Sequence, residues 1–175
     1  AALLGEATAR THNEPTVMLT LGTGVGGAYY DGKAVVFGDD FTFGRFGHLP
    51  LVENGLKCTC GKRGCIEAYI SGSAVVRAAS AIDLTPAELF VSDRPQAVAA
   101  VETFCRDLAA ALETIHAQAP FALCIIGGGV ARSAARWLPI LKKYTTRRVE
   151  AATLGDDAGL LGAAAWFREA TCGTM

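Results

Sequence analysis

Four side chains able to bind a metal ion stand within eighteen residues: His48, then Cys58, Cys60 and Cys65, in the pattern H-x9-C-x-C-x4-C. Three thiolates and an imidazole suit the closed tetrahedral coordination of a structural zinc, and the short C-x-C and C-x4-C spacings let one folded-back loop deliver all three sulfurs. Gly61 and Gly64 stand where that loop must turn sharply, and Glu67 follows the last cysteine directly after Ile66. A zinc that only stapled a fold would not need a carboxylate and an imidazole brought to one spot, so the cluster predicts a ligand site built against the metal. Ordinary buried thiols beside a surface histidine are one competing reading, and a disulfide is another. Cysteines one residue apart bridge poorly and nothing in the chain looks secreted, so the ligand spacing favours zinc. Cys105, Cys124 and Cys172 stand apart and are expected to be plain buried thiols.

Two glycine clusters could meet a phosphate. Gly22-Thr23-Gly24-Val25-Gly26-Gly27 satisfies G-x-G-x-x-G, but a dinucleotide fingerprint needs a helix after the glycines, and strand, turn and strand follow instead. No Gly-Lys-Ser/Thr completes a Walker A loop. A tight turn whose backbone N–H groups and Thr23 hydroxyl face an anion is one reading, and a ligand-free glycine hairpin is the other. Gly127-Gly128-Gly129 ends a strand and leads into a helix, where open α/β sheets bind ligands. An adenosine contact and a sterically forced turn both fit those residues. Asp156 and Asp157 could pair on a metal, although Asp157 as a helix N-cap is favoured. His12 reads as a solvated loop residue, and His116 as a residue late in a helix, where a cation suits the dipole.

These groups need elements to hold them. Thr16–Leu21 reads as a strand running into the first glycine cluster, and Asp31-Gly32 as a hairpin turn between residues 28–30 and 33–37. Residues 67–69 and 73–80 read as helical. Thr85-Pro86-Ala87-Glu88 is a capping box opening a short helix. Asp93 is expected to cap a long helix over 95–118 with an apolar stripe at Val98, Val101, Phe104, Cys105, Leu108, Leu112 and Ile115. Residues 121–126 form a continuous apolar run expected as a strand buried on both faces. A helix over 131–143, a weaker strand over 149–152 and a closing helix over 157–170 complete an α/β pattern. Trp137 and Trp166 are expected in the core or an interface.

The 175 residues are 51% hydrophobic with a net charge of −1. No basic stripe suggests a nucleic-acid surface, no apolar run reaches membrane-spanning length, and the N-terminus has no basic n-region. Six cysteines, with a metal accounting for three of them, fit a reducing cytoplasm. Residues 1–7 read as the body of a helix without an N-cap, so an upstream part is expected to be missing.

The glycine turn at 21–27, Gly47-His48, the C-x-C-G-x-x-G-C-x-E signature over 58–67, Ser71-Gly72, the 125–130 strand end and the 154–163 segment together resemble the ROK family (repressors, open reading frames and sugar kinases). The resemblance spans nearly the whole chain in family order. It implies an actin-like, ribonuclease H-like ATPase fold, here mostly its C-terminal domain: a phosphate-loop hairpin sheet at 16–52, a zinc and sugar loop at 48–67, and a helix-rich part at 95–170. It further implies that His48, Cys58, Cys60 and Cys65 hold Zn²⁺ and that His48, Glu67 and Gly44 face a sugar. Gly22, Thr23, Gly24 and Gly26 would cradle the phosphates of ATP with Mg²⁺, while Gly127, Gly128 and Gly129 border adenosine. Homo-oligomers are expected from the family.

Two departures qualify those expectations. Family kinases carry a D-x-G loop near their start and an N-D dipeptide whose Asp is the general base. This chain opens instead with residues resembling the helix that follows that Asp, which puts the base and the N-terminal domain upstream of Ala1 and leaves the chain inactive alone. The G-E-x-G-H of family kinases reads Gly44-Arg45-Phe46-Gly47-His48 here, an acceptor exchanged for a cation with five donors. Arg45 could meet a modified sugar, mark lost activity or face solvent, the last being favoured. The sequence therefore points to part of an ATP-dependent hexose or N-acetylhexosamine kinase, with the sensing domain of a ROK-type transcriptional repressor as the alternative.

Overall fold

Thr16-Val17-Met18-Leu19-Thr20-Leu21 alternates two sets of apolar side chains, and a strand surrounded on both sides can bury both. It forms β1 (Thr16–Leu21) at the middle of a mixed sheet in the computed structural model of the chain. The described residues are 1–10, 14–38, 43–79 and 83–172, the last four as backbone only. His12, Ser80 and the Cys172 side chain, for which expectations were stated above, lie outside them.

Among the described residues five strands form one sheet in the order β3-β2-β1-β4-β5, with β2 at Val25–Tyr30, β3 at Val35–Val36, β4 at Leu123–Gly127 and β5 at Val149–Ala151. The hairpins β1–β2 and β2–β3 are antiparallel, whereas β1–β4 and β4–β5 are parallel. The Asp31 side chain sets the second turn by accepting from the N–H groups of Lys33 and Ala34. β1 and β4 run parallel and align Thr20 with Gly127, so both glycine clusters emerge at the carboxyl ends of these strands.

One face of the sheet (Val17, Leu19, Leu21, Cys124 and Ile126) packs into the larger core beneath α2 (Glu67–Ile70), α3 (Gly72–Ala78), α4 (Pro86–Val91), α5 (Pro95–Gln118) and α6 (Ala134–Leu141). The other face (Met18, Leu123 and Ile125) packs with Leu3 of α1 (Ala2–Arg10). Each such side chain contributes about 1.5–3 kcal/mol on full burial. α1 lies against α7 (Ala158–Cys172), with Gly5 and Gly162 in the seam; a Cβ on Gly5 would strike the Ala158 carbonyl, and one on Gly162 the Ala1 carbonyl. Backbone meets backbone there.

Several local expectations meet the structure and some are corrected. The Thr85 capping box is complete, with Glu88 answering the Thr85 N–H. α5 has the expected bounds, yet Asp93 does not cap it: Pro95 occupies the first helical position, which makes Arg94 the cap residue, and Asp93 pairs with Arg136 on α6. Val98 faces solvent, 44% exposed, while Ala97 takes the buried position. The helix expected from residue 131 begins at Ala134, because residues 129–133 wind more tightly as a 3-10 turn whose Val130 carbonyl accepts from the buried Trp137 indole. Asp157 lies in another 3-10 turn leading into α7, and Asp156 forms an ion pair with Arg132 at 3.2 Å. His116 accepts the Phe121 N–H at Nδ1, which ties the end of α5 to the start of the next strand segment. Trp137 is fully buried, and Trp166 is half exposed and stacks on Phe37.

Candidate functional site

The metal loop is a short reversal rather than a regular element. Backbone bridges pair Lys57 with Arg63 and Pro50 with Cys65, the Cys58 N–H donates to Lys62 O, and the Gly61 N–H donates to Cys58 O. Gly61 and Gly64 take φ of +88° and +77°, a region that side chains disfavour, which is why glycines stand at these two turns. Tyr69 of α2 supports the loop through its hydroxyl, which accepts the Leu56 N–H at 2.8 Å. His48 enters from the 3-10 turn Phe46–His48.

These elements bring His48, Cys58, Cys60 and Cys65 together, with all four ligand atoms within 4.8 Å of one another. The Cys60 and Cys65 sulfurs are 3.7 Å apart, and His48 Nδ1 lies 3.8 Å from the Cys58 sulfur. A tetrahedral ion with Zn–S bonds of about 2.3 Å separates two sulfur ligands by about 3.8 Å and a sulfur from a nitrogen by about 3.6 Å. The separations fit that geometry, and they are far longer than the ~2.05 Å of a disulfide. All five cysteines with described side chains are free thiols, with Cys105 and Cys124 buried as expected. Burial pushes the Cys65 thiol up to about 12, and the adjoining Cys60 and Cys58 add to the rise, while the Lys62 backbone N–H draws Cys60 below its ordinary value. Thiols packed in this way ionise together only with a cation among them, so loading a dication expels protons.

Glu67 opens α2 and reaches two loops at once. Its Oε2 accepts the Val25 N–H at 2.9 Å, and its Oε1 accepts the Thr59 hydroxyl at 2.8 Å. Burial works against its charge, but the Val25 N–H, the Thr59 hydroxyl and the nearby His48 outweigh it and hold the carboxyl below its usual range. Glu67 is therefore an anionic acceptor beside the metal loop. Since Nδ1 of His48 faces the sulfurs, Nε2 is the ring atom left to serve a ligand.

The first glycine cluster divides in two. Gly22, Thr23 and Gly24 make the turn, closed by the Gly22 N–H on Gly24 O at 3.0 Å, whereas Gly26 lies inside β2. The exposed tip is Gly22-Thr23. Gly128, with φ of +78°, makes the corresponding turn after β4, and a cavity of about 320 Å³ opens between the ends of β1, β4 and β5. Thr20, Gly127, Gly128, Arg132, Thr153 and Asp156 are among the residues around it. Its wall at Thr153 is held from behind by Glu6, fully buried on α1, which accepts the Thr153 and Leu154 N–H groups at 2.8 Å each and the Thr153 hydroxyl at 3.1 Å. Gly44 is buried against β2. Arg45 is exposed at the rim of a separate hollow of about 240 Å³ with Phe43, Leu49 and Gln118.

Sequence reasoning missed Thr59, Glu6 and the cavity residues Ala152 and Thr153. Thr59 gives no signal because a hydroxyl between two cysteines reads as loop. Glu6 gives a faint one, its i,i+4 spacing from Arg10, with which it forms an ion pair at 3.2 Å.

The ROK family model matches residues 1–170. The chain is 33% identical over 165 residues to an N-acetylmannosamine kinase of Haemophilus influenzae (strain PittGG), covering 87% of this chain and 55% of that protein. It is 34% identical over 177 residues to an N-acetyl-D-glucosamine kinase of Yersinia pseudotuberculosis serotype O:1b (strain IP 31758), covering 86% and 58%. A solved ROK family glucokinase from Streptomyces griseus, in complex with glucose and AMPPNP, superposes with a TM-score of 0.85 at 28% identity, covering 96% of this chain and 65% of that one. The five-stranded mixed α/β architecture is thus the actin-like ATPase fold of such kinases. The chain spans a little over half the length of these two relatives.

Proposed function

We propose that this chain, which belongs to the ROK family, supplies the zinc-, sugar- and nucleotide-binding part of an ATP-dependent kinase acting on a hexose or N-acetylhexosamine. The observation that carries the reading is the meeting of the Cys₃His cluster, Glu67 and the glycine turn through direct hydrogen bonds. His48, Cys58, Cys60 and Cys65 would hold Zn²⁺, which when bound supplies a fixed anchor for the loop and for the imidazole. The His48 Nε2–H then donates to one sugar oxygen, and Glu67 accepts from sugar hydroxyls with the lone pairs its protein donors leave free. The cavity at the ends of β1, β4 and β5 takes the nucleoside, its phosphates run toward Gly22, Thr23 and Gly24, and Mg²⁺ accompanies them.

In this reading the carboxylate that accepts the proton of the attacking hydroxyl is not among these 175 residues, so the chain binds both ligands without turnover. Native mass spectrometry for one zinc per chain, with calorimetric titration of AMPPNP and of N-acetylmannosamine, N-acetylglucosamine and glucose, tests it. One zinc with nucleotide and sugar binding is the expected result. A chain that takes up no zinc and binds no nucleotide overturns the reading. Arg45, in place of the acceptor that family kinases carry, favours a second reading as the sensing domain of a ROK-type repressor, which sugar binding without nucleotide binding would select.

A further inference from the structure

The turn Gly22-Thr23-Gly24 has little means of holding its own shape. Its internal closure is the single Gly22 N–H···O=C Gly24 bond, and two of its three residues lack side chains. Both of its ends are nevertheless tied to one short segment that follows the last cysteine. Gly22 O accepts the Gly72 N–H at 2.7 Å, and the Val25 N–H donates to Glu67 Oε2 at 2.9 Å. The fit is close at each end: a Cβ on Gly24 would lie 2.6 Å from Glu67 Oε2, and one on Gly72 would lie 3.0 Å from Gly22 O. Ile70 between the two ties and Ile66 just before the first are fully buried, and the Ser71 side chain caps α3 by accepting the Ala74 N–H. The segment is therefore stiff. Its other attachment is to the metal loop, through Cys65 two residues before Glu67 and through the Thr59 hydroxyl, which stands between Cys58 and Cys60 and donates to Glu67 Oε1.

We propose that Glu67–Gly72 is a strut through which occupancy of the metal loop sets how firmly the glycine turn is held, with Glu67 and Thr59 as its positioning residues. The proposal rests on the reading above that zinc fills the loop and that the turn receives phosphate. Without a cation, Thr59 meets Glu67 only through its own hydroxyl bond and the Cys58 thiol, 3.7 Å from Oε1, on a loop whose sulfurs no longer share an ion. The carboxylate's ties to the loop, from the Thr59 hydroxyl and the Cys58 thiol, then slacken, and the Val25 amide has a less firmly held acceptor.

Amide hydrogen exchange on the whole chain reads this directly, without nucleotide and without turnover. The zinc-loaded protein is compared with the chelator-stripped one, following Val25 and, as internal reference, the β4 amides of Leu123–Gly127. Stripping is expected to speed Val25 exchange about tenfold, the factor a hydrogen bond to a charged acceptor is worth, while β4 stays unchanged. Zinc-loaded Glu67→Ala should show a similar acceleration, and zinc-loaded Thr59→Val a smaller one of about threefold. If stripping loosens β4 as well, the Thr59→Val chain decides, since it keeps its metal and must accelerate Val25 alone. A Val25 amide that exchanges equally fast in loaded, stripped and Thr59→Val protein overturns the coupling. A chain that never takes up zinc overturns the functional reading instead, so the two failures are distinct.

Discussion

Replacing Glu6 tests whether α1 is latched to the wall of the β1–β4–β5 cavity by a buried charge. Glu6→Ala removes the acceptor of the Thr153 N–H, the Leu154 N–H, the Thr153 hydroxyl and the Arg10 Nε at a position with no exposure. Arg10 keeps the Glu150 carboxylate and the Ala151 carbonyl, and the hydroxyl can rotate, so the cost falls mainly on the two amides. At about 1–3 kcal/mol for each abandoned buried donor, the loss is about 2–6 kcal/mol, and breaking a buried charge pair independently gives about 3–5 kcal/mol. Glu6→Gln keeps one oxygen for both amides but turns its NH2, a donor only, toward the Arg10 Nε–H, losing that one bond and the charge, so about 1–2 kcal/mol is expected. Urea unfolding followed by circular dichroism at constant zinc separates the three proteins, with the slope against urea unchanged. On the roughly 3–5 kcal/mol that both figures share, the alanine variant should melt about 6–20 °C lower in a thermal scan, at about 2–4 °C per kcal/mol for a chain of this size. An alanine variant costing less than about 1 kcal/mol, or alanine and glutamine variants costing the same, would refute the latch.

Three further outcomes follow from the geometry. Cys65→Ser should drop the zinc content measured by native mass spectrometry from one per chain to near zero at equimolar metal, because a hydroxyl replaces a thiolate in the middle of the set; retained stoichiometric zinc would show that the cluster is not the site. Gly128→Ala forces a side chain to φ of +78° beside the Leu21 carbonyl and should cost about 1–2 kcal/mol from backbone conformation alone; a neutral result in urea unfolding would contradict the turn. Burial opposes the Glu150 charge, but Arg148 and Arg10 outweigh it and depress its folded-state titration. Its stabilising contribution is therefore complete above the ordinary carboxyl value of 4.5 and drains away as pH falls through the lower folded value. Glu150→Gln should flatten the fall of unfolding free energy in that acid window and leave the slope at neutral pH alone.

Much of this was legible from local chemistry. β1 occupies the expected residues because a β-branched, uninterrupted apolar run has few other solutions, and the Thr85 capping box announces its helix through four residues alone. The Cys₃His cluster was legible because ligand spacing is itself geometry. Order within the sheet was not, since β1 finds β4 across a hundred residues. The i,i+4 rule could not see that Ala97 rather than Val98 would turn inward, because the rotation of α5 is set by its neighbours. Nor did it show Asp93 passing over a cap position to reach Arg136, or Glu67 answering Thr59 and Val25 together, since each depends on a partner distant along the chain.

The glycine seam between α1 and α7 carries a mechanical consequence. Two helices that touch through their main chains have no side chains between them to repack, so a larger residue there cannot be absorbed by a change of rotamer. Any side chain grown at Gly5 or Gly162 must therefore wedge the two helices apart along their whole line of approach.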